Sequence, residues 1–295
     1  MVRLKDYLEL IIFQAFKSLI LILPRRLCLV WGKKMGLFFY YLDTKHRRLA
    51  LTNLKMAFRK QLTSSGLKRM ARRTFMHFGS SLVDIIKFSS LSEKSKIALI
   101  QVEGEENLRS ALQAKKGAIL FTAHYGSWEI APFVVSKLGI LNVIARSLDN
   151  ELLERELLKL RGSQGAKVIY KHQATKPILQ SLRAKEMVAF LIDQNVQKHQ
   201  AIFVDFFGRK AATTPSLAAF FLKTKSPIVP VFCSPTPSHH YRLQILEPLK
   251  IKLEGDYNQQ VLKITQICTK IIEAQIRKNP SHWFWLHNRW KTRPD

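Results

Sequence analysis

The chain alternates short apolar runs with amphipathic helical segments from residue 97 onward, and this alternation restricts the possible folds more than any other feature. The runs have the length of buried strands and lie at 97–102, 118–123, 142–146, 166–170, 187–192, 227–233 and 241–246. Helices are predicted near 105–114, 128–138, 150–164, 175–184 and 215–224, with a long final helix over about 256–278. Alternating strands and helices predict an α/β fold with a mainly parallel mixed sheet flanked by helices. The segment YRLQILEPL, which starts at Tyr241, predicts an antiparallel strand at one edge.

The sequence predicts one folded domain with an N-terminal appendage. Among its 295 residues there is no linker rich in Pro, Gly or Ser, no internal repeat and no low-complexity tract. We therefore predict an N-terminal segment over residues 1–42 and a single α/β domain over residues 43–295.

The strand predicted at 118–123 ends in a sharp change of residue type. The stretch AILFTAHYGSWEIAP (118–132) predicts a strand-to-helix turn, with His124 at the strand end and Glu129 near the helix start. A neutral imidazole is a general base near pH 7, and a carboxylate on its other ring nitrogen fixes the tautomer and stabilises the imidazolium. The spacing thus predicts that Glu129 orients a catalytic His124. The alternative is a His124 satisfied by backbone groups and an ordinary acid in a first helical turn.

Two further predicted strands end on residues that are capable of chemistry. Arg146 follows the run NVIA, and Asp193 follows the run MVAFLI. Ligands of such sheets bind beyond the carboxyl ends of the strands. Together with the HYGSWE turn, these residues predict a pocket edge with a base, a carboxylate and an anion-binding guanidinium. The alternative is that Arg146 pairs with Asp149 and that Asp193 forms a turn with Asn195.

The segment VDFFGRKAATTPSLAAFF (204–221) predicts a phosphate site at a helix amino terminus. Thr213 or Thr214 is a suitable N-cap, and Pro215 suits the first helical position. Arg209 and Lys210 lie just upstream, so two cations and the helix dipole would face the same anion. The alternative is an ordinary capped helix with solvated basic residues.

The N-terminal segment predicts contact with a membrane. Residues 8–23 (LELIIFQAFKSLILIL) carry Glu9, Gln14 and Lys17, and their uninterrupted apolar run is shorter than the roughly 20 residues of a spanning helix. Basic and aromatic residues follow, which predicts an imperfect anchor or an interfacial hairpin with the body of the protein in the cytoplasm. No small-residue cleavage site closes the run, so no removable signal peptide is predicted. The alternative is a buried helix pair of the domain core.

The charge of the chain predicts an anionic partner. The sequence has 48 Lys and Arg against 21 Asp and Glu, a formal net charge of +27. A membrane face, a phosphorylated lipid, an acidic carrier protein and nucleic acid all fit this charge.

The cysteines and the absent motifs exclude several kinds of chemistry. Cys28, Cys233 and Cys268 are far apart in sequence, which predicts buried free thiols in a reducing compartment. We find no GxSxG nucleophile motif and no metal-binding spacing, so neither a serine nucleophile of that type nor a metal site is predicted.

Three motifs resemble those of one enzyme family. HYGSWE resembles the His-x4-Asp/Glu box of the glycerolipid and lipid A acyltransferases, and HFGNWE-like versions are typical of the late lipid A enzymes. The segment after Val204 resembles the FFG…A.T.P region that follows this box in lipid A acyltransferases. The tail HWFWLHNRWKTRPD resembles the WxHRRFKTRP-like end of the family, from which Asn288 and Trp290 depart. The tail matches at Trp285, His287, Arg289, Lys291, Thr292, Arg293 and Pro294.

The resemblance implies a glycerolipid-acyltransferase-like fold and a lipid A biosynthesis acyltransferase on the cytoplasmic face of the inner membrane of a Gram-negative bacterium. The implied reaction moves a fatty acyl chain from acyl carrier protein to a hydroxyl of a Kdo-bearing lipid A precursor, without covalent intermediate, cofactor or metal. The implied partners are acyl carrier protein, a phosphorylated glycolipid acceptor and the anionic inner membrane, with no nucleic acid. On this view His124 and Glu129 are catalytic. The substrate-binding or phosphate-binding residues would be Arg146, Asp193, Arg209, Lys210, Arg289, Lys291 and Arg293.

Other functions share part of this pattern. A lysophospholipid or phosphatidylinositol mannoside acyltransferase would use the same His-x4-acid chemistry, but the KTRP-like tail favours the lipid A branch. A nucleic-acid-binding protein would explain the charge and the aromatic and basic tail. It would leave the apolar N-terminus and the polar strand ends without a purpose. A membrane scaffold without enzymatic activity is the remaining alternative, and coenzyme A is the alternative acyl carrier.

Overall fold

The computed structural model describes residues 3–294, which form eleven α-helices and nine strands. The helices are α1 (Leu4–Ile22), α2 (Arg25–Leu42), α3 (Thr44–Phe58), α4 (Ser64–Ser89), α5 (Glu93–Ala98), α6 (Glu105–Gln113), α7 (Ala131–Val135), α8 (Glu151–Gly162), α9 (Thr175–Arg183), α10 (Ser216–Thr224) and α11 (Tyr257–Lys278). The strands are β1 (Ile100–Glu103), β2 (Ala118–Thr122), β3 (Leu141–Ala145), β4 (Ala166–Tyr170), β5 (Met187–Leu191), β6 (Ile202–Phe206), β7 (Arg209–Thr213), β8 (Ile228–Pro235) and β9 (Tyr241–Ile245).

Seven strands form one mixed sheet in the order β1-β9-β8-β2-β5-β3-β4. All neighbouring pairs in this sheet are parallel except β8 and β9, which are antiparallel. The predicted α/β fold with a mainly parallel sheet is therefore confirmed. The prediction that the antiparallel strand lies at the edge is wrong, because β1 pairs in parallel with the outer side of β9, from Ile100 opposite Tyr241 onward.

The predicted strands all occur, and the largest differences lie at the ends of elements. The first strand starts at Ile100 rather than at residue 97, because Ser92 caps the short helix α5 over the preceding residues. The helix predicted over 128–138 is reduced to the five residues of α7. Pro132 lies in the first turn of α7, and its missing N–H prevents a regular helix from beginning earlier.

The hairpin formed by β6 and β7 was not predicted. The two strands pair antiparallel from Ile202 opposite Thr213 to Phe206 opposite Arg209. Phe207 and Gly208 connect them, and both have positive φ angles, 53° and 71°. Two such residues form the tight turn whose twist matches a hairpin, but a bulky aromatic residue in the first position gives little sequence signal for it.

Both faces of the large sheet are buried. Along β2, Ile119 and Phe121 join one apolar cluster together with residues of α3, α10 and α11. Ala118 and Leu120 point to the opposite face and join a second cluster with Phe88. Successive side chains of a strand point to opposite faces, so a central strand with two covered faces reads as a continuous apolar run. This is why the strands were visible in the sequence.

The N-terminal helices pack closely against α4. A Cβ atom on Gly36 of α2 would lie 2.1 Å from the carbonyl oxygen of Phe75, and one on Gly79 of α4 would lie 2.3 Å from that of Gly32. The two backbones therefore approach each other at a distance that only glycine permits.

A buried polar group joins these helices to the sheet. Arg25 Nε and Nη2 donate to the two carboxylate oxygens of Asp84, at 2.9 and 3.1 Å. Arg25 Nη2 also donates to the hydroxyl of Tyr241 at 2.7 Å. The start of α2 is thereby fixed to α4 and β9. The division into residues 1–42 and 43–295 stays a prediction, with residues 1, 2 and 295 outside the described range.

The outward faces of α1 and α2 are apolar. Exposed side chains include Leu8, Ile11 and Ile12 on α1 and Phe38 and Phe39 on α2. Within residues 3–294, none of the helices combines the length and the apolar character that crossing a membrane requires. The predicted helical N-terminal segment is therefore present, and its contact with a membrane stays a prediction.

Candidate active site

The HYGSWE turn is fixed to the neighbouring strand and to the C-terminal segment. Gly126 has φ +61°, and a Cβ atom there would lie 2.2 Å from the carbonyl oxygen of Cys233 on β8. Its N–H donates to the carbonyl of His282 at 2.8 Å, and the N–H of Ser127 donates to that of Cys233 at 2.9 Å. The N–H of Phe284 donates to the carbonyl of His124 at 3.0 Å. These bonds hold the turn that carries His124 in one conformation.

Asp193, which follows β5, orients the imidazole of His124. Its Oδ1 lies 2.9 Å from His124 Nδ1, and its Oδ2 accepts the backbone N–H of His124 at 2.9 Å. Trp283 Nε1 donates to the same Oδ2 at 2.7 Å. Burial alone would raise the pKa of Asp193, but the charge of His124 and the hydrogen bonds from His124 and Trp283 outweigh it and lower this pKa. Asp193 is therefore an ionised acceptor at neutral pH.

The hydrogen-bond network assigns the tautomer of His124. Because the Asp193 carboxylate accepts from Nδ1, we assign the proton to Nδ1 and the lone pair to Nε2. With this tautomer, the side-chain amide nitrogen of Gln194 donates to Nε2 at 3.3 Å. The His124 side chain is 24% exposed, so a substrate hydroxyl has access to it. This arrangement suits a general base.

Glu129 does not contact Nδ1 of His124, so the predicted orientation of His124 by Glu129 is wrong. The Glu129 carboxylate is bound by Arg161 of α8 instead, with Nη2 at 2.7 Å from Oε1 and Nε at 3.3 Å from Oε2. Burial alone would lower the pKa of Arg161, but the hydrogen bond and the charge of Glu129 outweigh it and raise this pKa. The physical reason is that Asp193 already occupies the ring nitrogen that Glu129 was predicted to hold.

His124 and Glu129 line a common cavity at the carboxyl ends of the strands. The cavity has a volume of about 990 Å³, and Arg146, Arg161 and Lys171 also line it. Arg146 is highly exposed there and lies 3.7 Å from Asp149, the partner considered in the alternative interpretation. The cavity thus brings together a base and several cations, while Asp193 lies behind the imidazole.

A second, apolar cavity adjoins the first. It has a volume of about 450 Å³ and shares Trp128 and Glu129 with the cavity at His124. Its other walls come mainly from α4 and α8, including Leu82, Ile85 and Leu157. An apolar space next to the base suits a hydrocarbon chain.

Comparison with known proteins identifies the family of the chain. The family model described as bacterial lipid A biosynthesis acyltransferase matches residues 2–292. The chain belongs to this family. It is therefore an acyltransferase of the lipid A biosynthesis family, which confirms the resemblance seen in the motifs.

Three curated relatives illustrate the similarity. A lipid A biosynthesis acyltransferase of Haemophilus influenzae is 22% identical over 95% of this chain and 86% of its own length. The lipid A biosynthesis palmitoleoyltransferase of Escherichia coli is 24% identical over 92% of this chain and 87% of its own length. A phosphatidylinositol mannoside acyltransferase of Mycolicibacterium smegmatis is 25% identical, but over only 63% of this chain and 60% of its own length.

Arg209 and Lys210 of the acyltransferase do not lie at a helix amino terminus. Both belong to β7, and Arg209 is the first residue of this strand, next to the hairpin turn and seven residues before the start of α10. Lys210 Nζ lies 3.2 Å from Asp205 across the hairpin. The predicted phosphate cradle is therefore wrong, because the segment extends as a hairpin instead of leading directly into the helix.

Arg289 is structural in the acyltransferase. It is only 1% exposed, and its guanidinium donates to the carbonyls of Gln194 and Ala212 and to the hydroxyl of Thr213. Burial lowers its pKa to about 10. Arg289 does not line the cavity at His124, and its buried Nε has no hydrogen-bond partner among residues 3–294. Its predicted contact with a substrate phosphate is therefore wrong, because the side chain is buried away from that cavity.

The rest of the C-terminal motif holds the loop after Asp193. His287 Nε2 accepts the backbone N–H of Asn195 at 2.7 Å, and the hydroxyl of Thr292 lies 3.0 Å from the Asn195 amide nitrogen. Lys291 and Arg293 are exposed, and their predicted contact with substrate stays a prediction.

Asp193 was predicted to bind substrate, but the structure places it behind His124. Arg161 and Trp283 were not predicted as site residues. Trp283 lies in the recognised tail and Arg161 in a predicted helix, yet their partners are 90 and 32 residues away along the chain. No local spacing in the sequence connects such pairs. The three cysteines, by contrast, are buried and free, as predicted.

Proposed function

We propose that this acyltransferase moves a fatty acyl chain from an acyl carrier protein thioester to a hydroxyl of a Kdo-bearing lipid A precursor. The observation that carries the proposal is the imidazole of His124, which is fixed by Asp193 and open to a cavity next to an apolar one. The relatives named for lipid A biosynthesis match over most of the chain, whereas the phosphatidylinositol mannoside enzyme matches over 63%. Coverage therefore favours the lipid A reaction over the alternative acceptor.

The proposed reaction is a direct transfer with His124 as the base. Nε2 accepts the proton of the acceptor hydroxyl while the hydroxyl oxygen attacks the thioester carbonyl carbon. The tetrahedral intermediate then collapses, the carbon–sulfur bond breaks, and the thiolate takes up the proton from the imidazolium. A thiol with a pKa of about 8.5 is a good leaving group, so little further acid assistance is needed. Asp193 stabilises the imidazolium while it exists.

Glu129 has a different proposed role, which is to hold Arg161 at the cavity wall. Arg161 Nη1 is buried and has no hydrogen-bond partner among residues 3–294. A buried guanidinium donor without a partner is costly unless a ligand completes it. We assign it to the anionic oxygen that develops at the carbonyl or to an anionic group of the substrate.

The remaining partners follow from surface chemistry. The apolar cavity would take the acyl chain, and Arg146 and Lys171 at the larger cavity would face the phosphorylated acceptor, with Lys291 and Arg293 at the exposed tail. The net charge of +27 suits an acidic carrier protein and an anionic membrane. The exposed apolar faces of α1 and α2 would lie in the cytoplasmic interface of the inner membrane. No cofactor and no metal take part in the proposed reaction.

Mass spectrometry of lipid products tests the proposal. Wild type and His124→Ala are incubated with acyl carrier protein thioesters and a Kdo-bearing lipid A precursor. We expect a mass gain of one acyl chain with wild type and none with the variant. A mass gain with phosphatidylinositol mannoside acceptors alone would show that such a lipid, and not the lipid A precursor, is the acyl acceptor. An equal gain with both proteins would show that His124 is not required for the transfer.

A further inference from the structure

A third cavity is strongly basic and borders the apolar cavity, with which it shares Ser81, Asp84 and Ser127. It has a volume of about 770 Å³ and shares no lining residue with the cavity at His124. Its lining includes one carboxylate, that of Asp84. We call it the basic cavity, and its lining cations are Arg25, Lys33, Arg73, Arg242 and Lys278.

Three of these cations are not neutralised within the described chain. Arg25 is bound to Asp84, and Arg242 Nε lies 3.0 Å from a carboxylate oxygen of Glu103. Lys33, Arg73 and Lys278 form no ion pair with any residue in the range 3–294. They come from α2, α4 and α11, so three separate helices bring like charges to one concave surface. Such an arrangement is unfavourable unless an anion lies between the charges.

Neutral donors and four histidines, His77, His239, His240 and His282, also line the cavity. Ser80, Ser234 and Asn279 line the same cavity. The rings of His77 and His282 stack there with centroids 4.5 Å apart, and the buried Nδ1 of His282 has no hydrogen-bond partner among residues 3–294. The cavity therefore offers charged and neutral donors together with a buried ring nitrogen that is not satisfied.

We propose that the basic cavity binds the phosphate group of a phosphorylated ligand, at a site separate from the catalytic cavity. A phosphate dianion presents three acceptor oxygens, which matches cations that converge from three helices better than a carboxylate does. The cavity is larger than a phosphate ion, so it also has room for the group that the phosphate is attached to.

A ligand in the basic cavity would affect the turn that carries His124 through His77 and His282. His77 Nε2 lies 3.2 Å from the carbonyl oxygen of Gly126, and the carbonyl of His282 accepts the N–H of Gly126. Both residues line the basic cavity, and they hold Gly126 through the ring of His77 and the backbone carbonyl of His282. A bound phosphate is therefore expected to stiffen this turn.

Phosphate binding to the full chain tests the proposal directly. Inorganic phosphate is titrated at pH 7 and constant ionic strength, with calorimetry as the readout, into wild type, Lys33→Ala and Lys34→Ala. Lys34 is the adjacent exposed lysine of α2 and does not line the cavity, so it is the matched control. We expect the Kd to rise roughly tenfold in Lys33→Ala, as for loss of one charged hydrogen bond, and to stay unchanged in Lys34→Ala.

Hydrogen exchange distinguishes phosphate bound in the basic cavity from phosphate weakly associated with the protein surface. Only phosphate in the cavity is expected to protect the Gly126 amide. Phosphate is expected to slow exchange of the Gly126 amide in wild type and in Lys34→Ala, but not in Lys33→Ala. Absence of phosphate binding in wild type, or equal affinity in the two lysine variants, would overturn the proposal. The test does not use acyl transfer, so it is independent of the proposed reaction.

Vesicles distinguish the sources of the phosphate group. Phosphatidate carries a phosphomonoester, whereas phosphatidylglycerol carries a diester of lower charge. A preference of wild type for phosphatidate vesicles that Lys33→Ala loses would assign the site to a lipid headgroup. Phosphate binding without this preference would assign it to a soluble phosphate ester.

Discussion

Asp193 accepts from Nδ1 of His124 and thereby fixes the tautomer of the imidazole, and this gives a prediction at the scale of single residues. Asp193→Asn replaces the ionised acceptor on Nδ1 with an amide, which no longer stabilises the imidazolium. We expect kcat for acyl transfer to fall roughly 10²–10⁴-fold, the range for loss of general base catalysis. Turnover of a thioester donor and lipid acceptor measures this, with far-ultraviolet circular dichroism to show that the variant is folded.

Glu129→Gln is the contrasting variant. It weakens the ion pair with Arg161 and leaves the contact between His124 and Asp193 in place. We expect it to reduce activity while the imidazole proton signal of His124 in nuclear magnetic resonance stays where it is in wild type. Asp193→Asn should shift or remove this signal. A shift of the signal in Glu129→Gln as large as that in Asp193→Asn would contradict the assignment.

Three partly buried histidines are expected to make stability depend on pH. Burial lowers the pKa of His77 to about 3 and that of His282 and His287 to about 4, from an ordinary value of 6.5, with the charges of His282 and Lys33 also lowering that of His77. Between about 4 and 6.5 the unfolded chain therefore binds more protons than the folded protein. The contribution of these histidines to the free energy of unfolding is expected to be fully present above pH 6.5. It is expected to be lost as the pH falls from 6.5 to about 4.

Urea unfolding at a series of pH values measures this dependence. His77→Gln has one fewer titrating group, so its slope against pH should be smaller than that of wild type. An unfolding free energy that is independent of pH between 4 and 6.5 would show that these rings take up protons as readily in the folded protein as in the unfolded chain.

At the scale of secondary-structure elements, the packing of α2 on α4 depends on glycine. Gly79→Ala places a methyl group 2.3 Å from a backbone carbonyl that cannot move without displacing α2. We expect destabilisation of roughly 1–3 kcal/mol. Gly66→Ala, also on α4, has its nearest neighbours at 3.4 Å or more and should stabilise by up to about 1 kcal/mol. Denaturant unfolding of the two variants compares them, and equal effects would contradict close packing of the helices.

The elements also show which parts of the structure a single sequence can predict. The strands were predicted because both faces of the sheet are covered, so that local residue type alone reveals them. The hairpin of β6 and β7 was missed because its tight turn begins with Phe207, which has no local preference for a positive φ. The partner of His124 was missed because Asp193 is 69 residues away along the chain. Glu129, only five residues away, was predicted as the partner because of this short spacing. Contacts between distant segments form only when the sheet assembles, so they cannot be predicted from the spacing of residues within one segment.

At the scale of the whole molecule, the apolar faces of α1 and α2 and the large positive charge should act together on a membrane. Ile11 and Ile12 are 64% and 61% exposed, although α1 packs against the folded body through Ile20. Exposed isoleucines on one helix suit burial at the level of the lipid headgroups. The charge would add attraction to anionic lipids that weakens as salt is added.

Sedimentation with anionic vesicles separates the two contributions. Ile11→Gln and Ile12→Gln keep the charge and the helix but remove apolar area, so each should weaken binding by about tenfold or more at any salt concentration. Leu262→Gln removes an exposed leucine of α11, 45% exposed and on a different helix, and should have no effect. Binding that salt abolishes equally in all variants would mean that charge alone holds the protein to the membrane. Binding that persists in high salt and depends on Ile11 and Ile12 would place α1 in the interface, and the strand ends that carry His124 would then be held near their lipid acceptor.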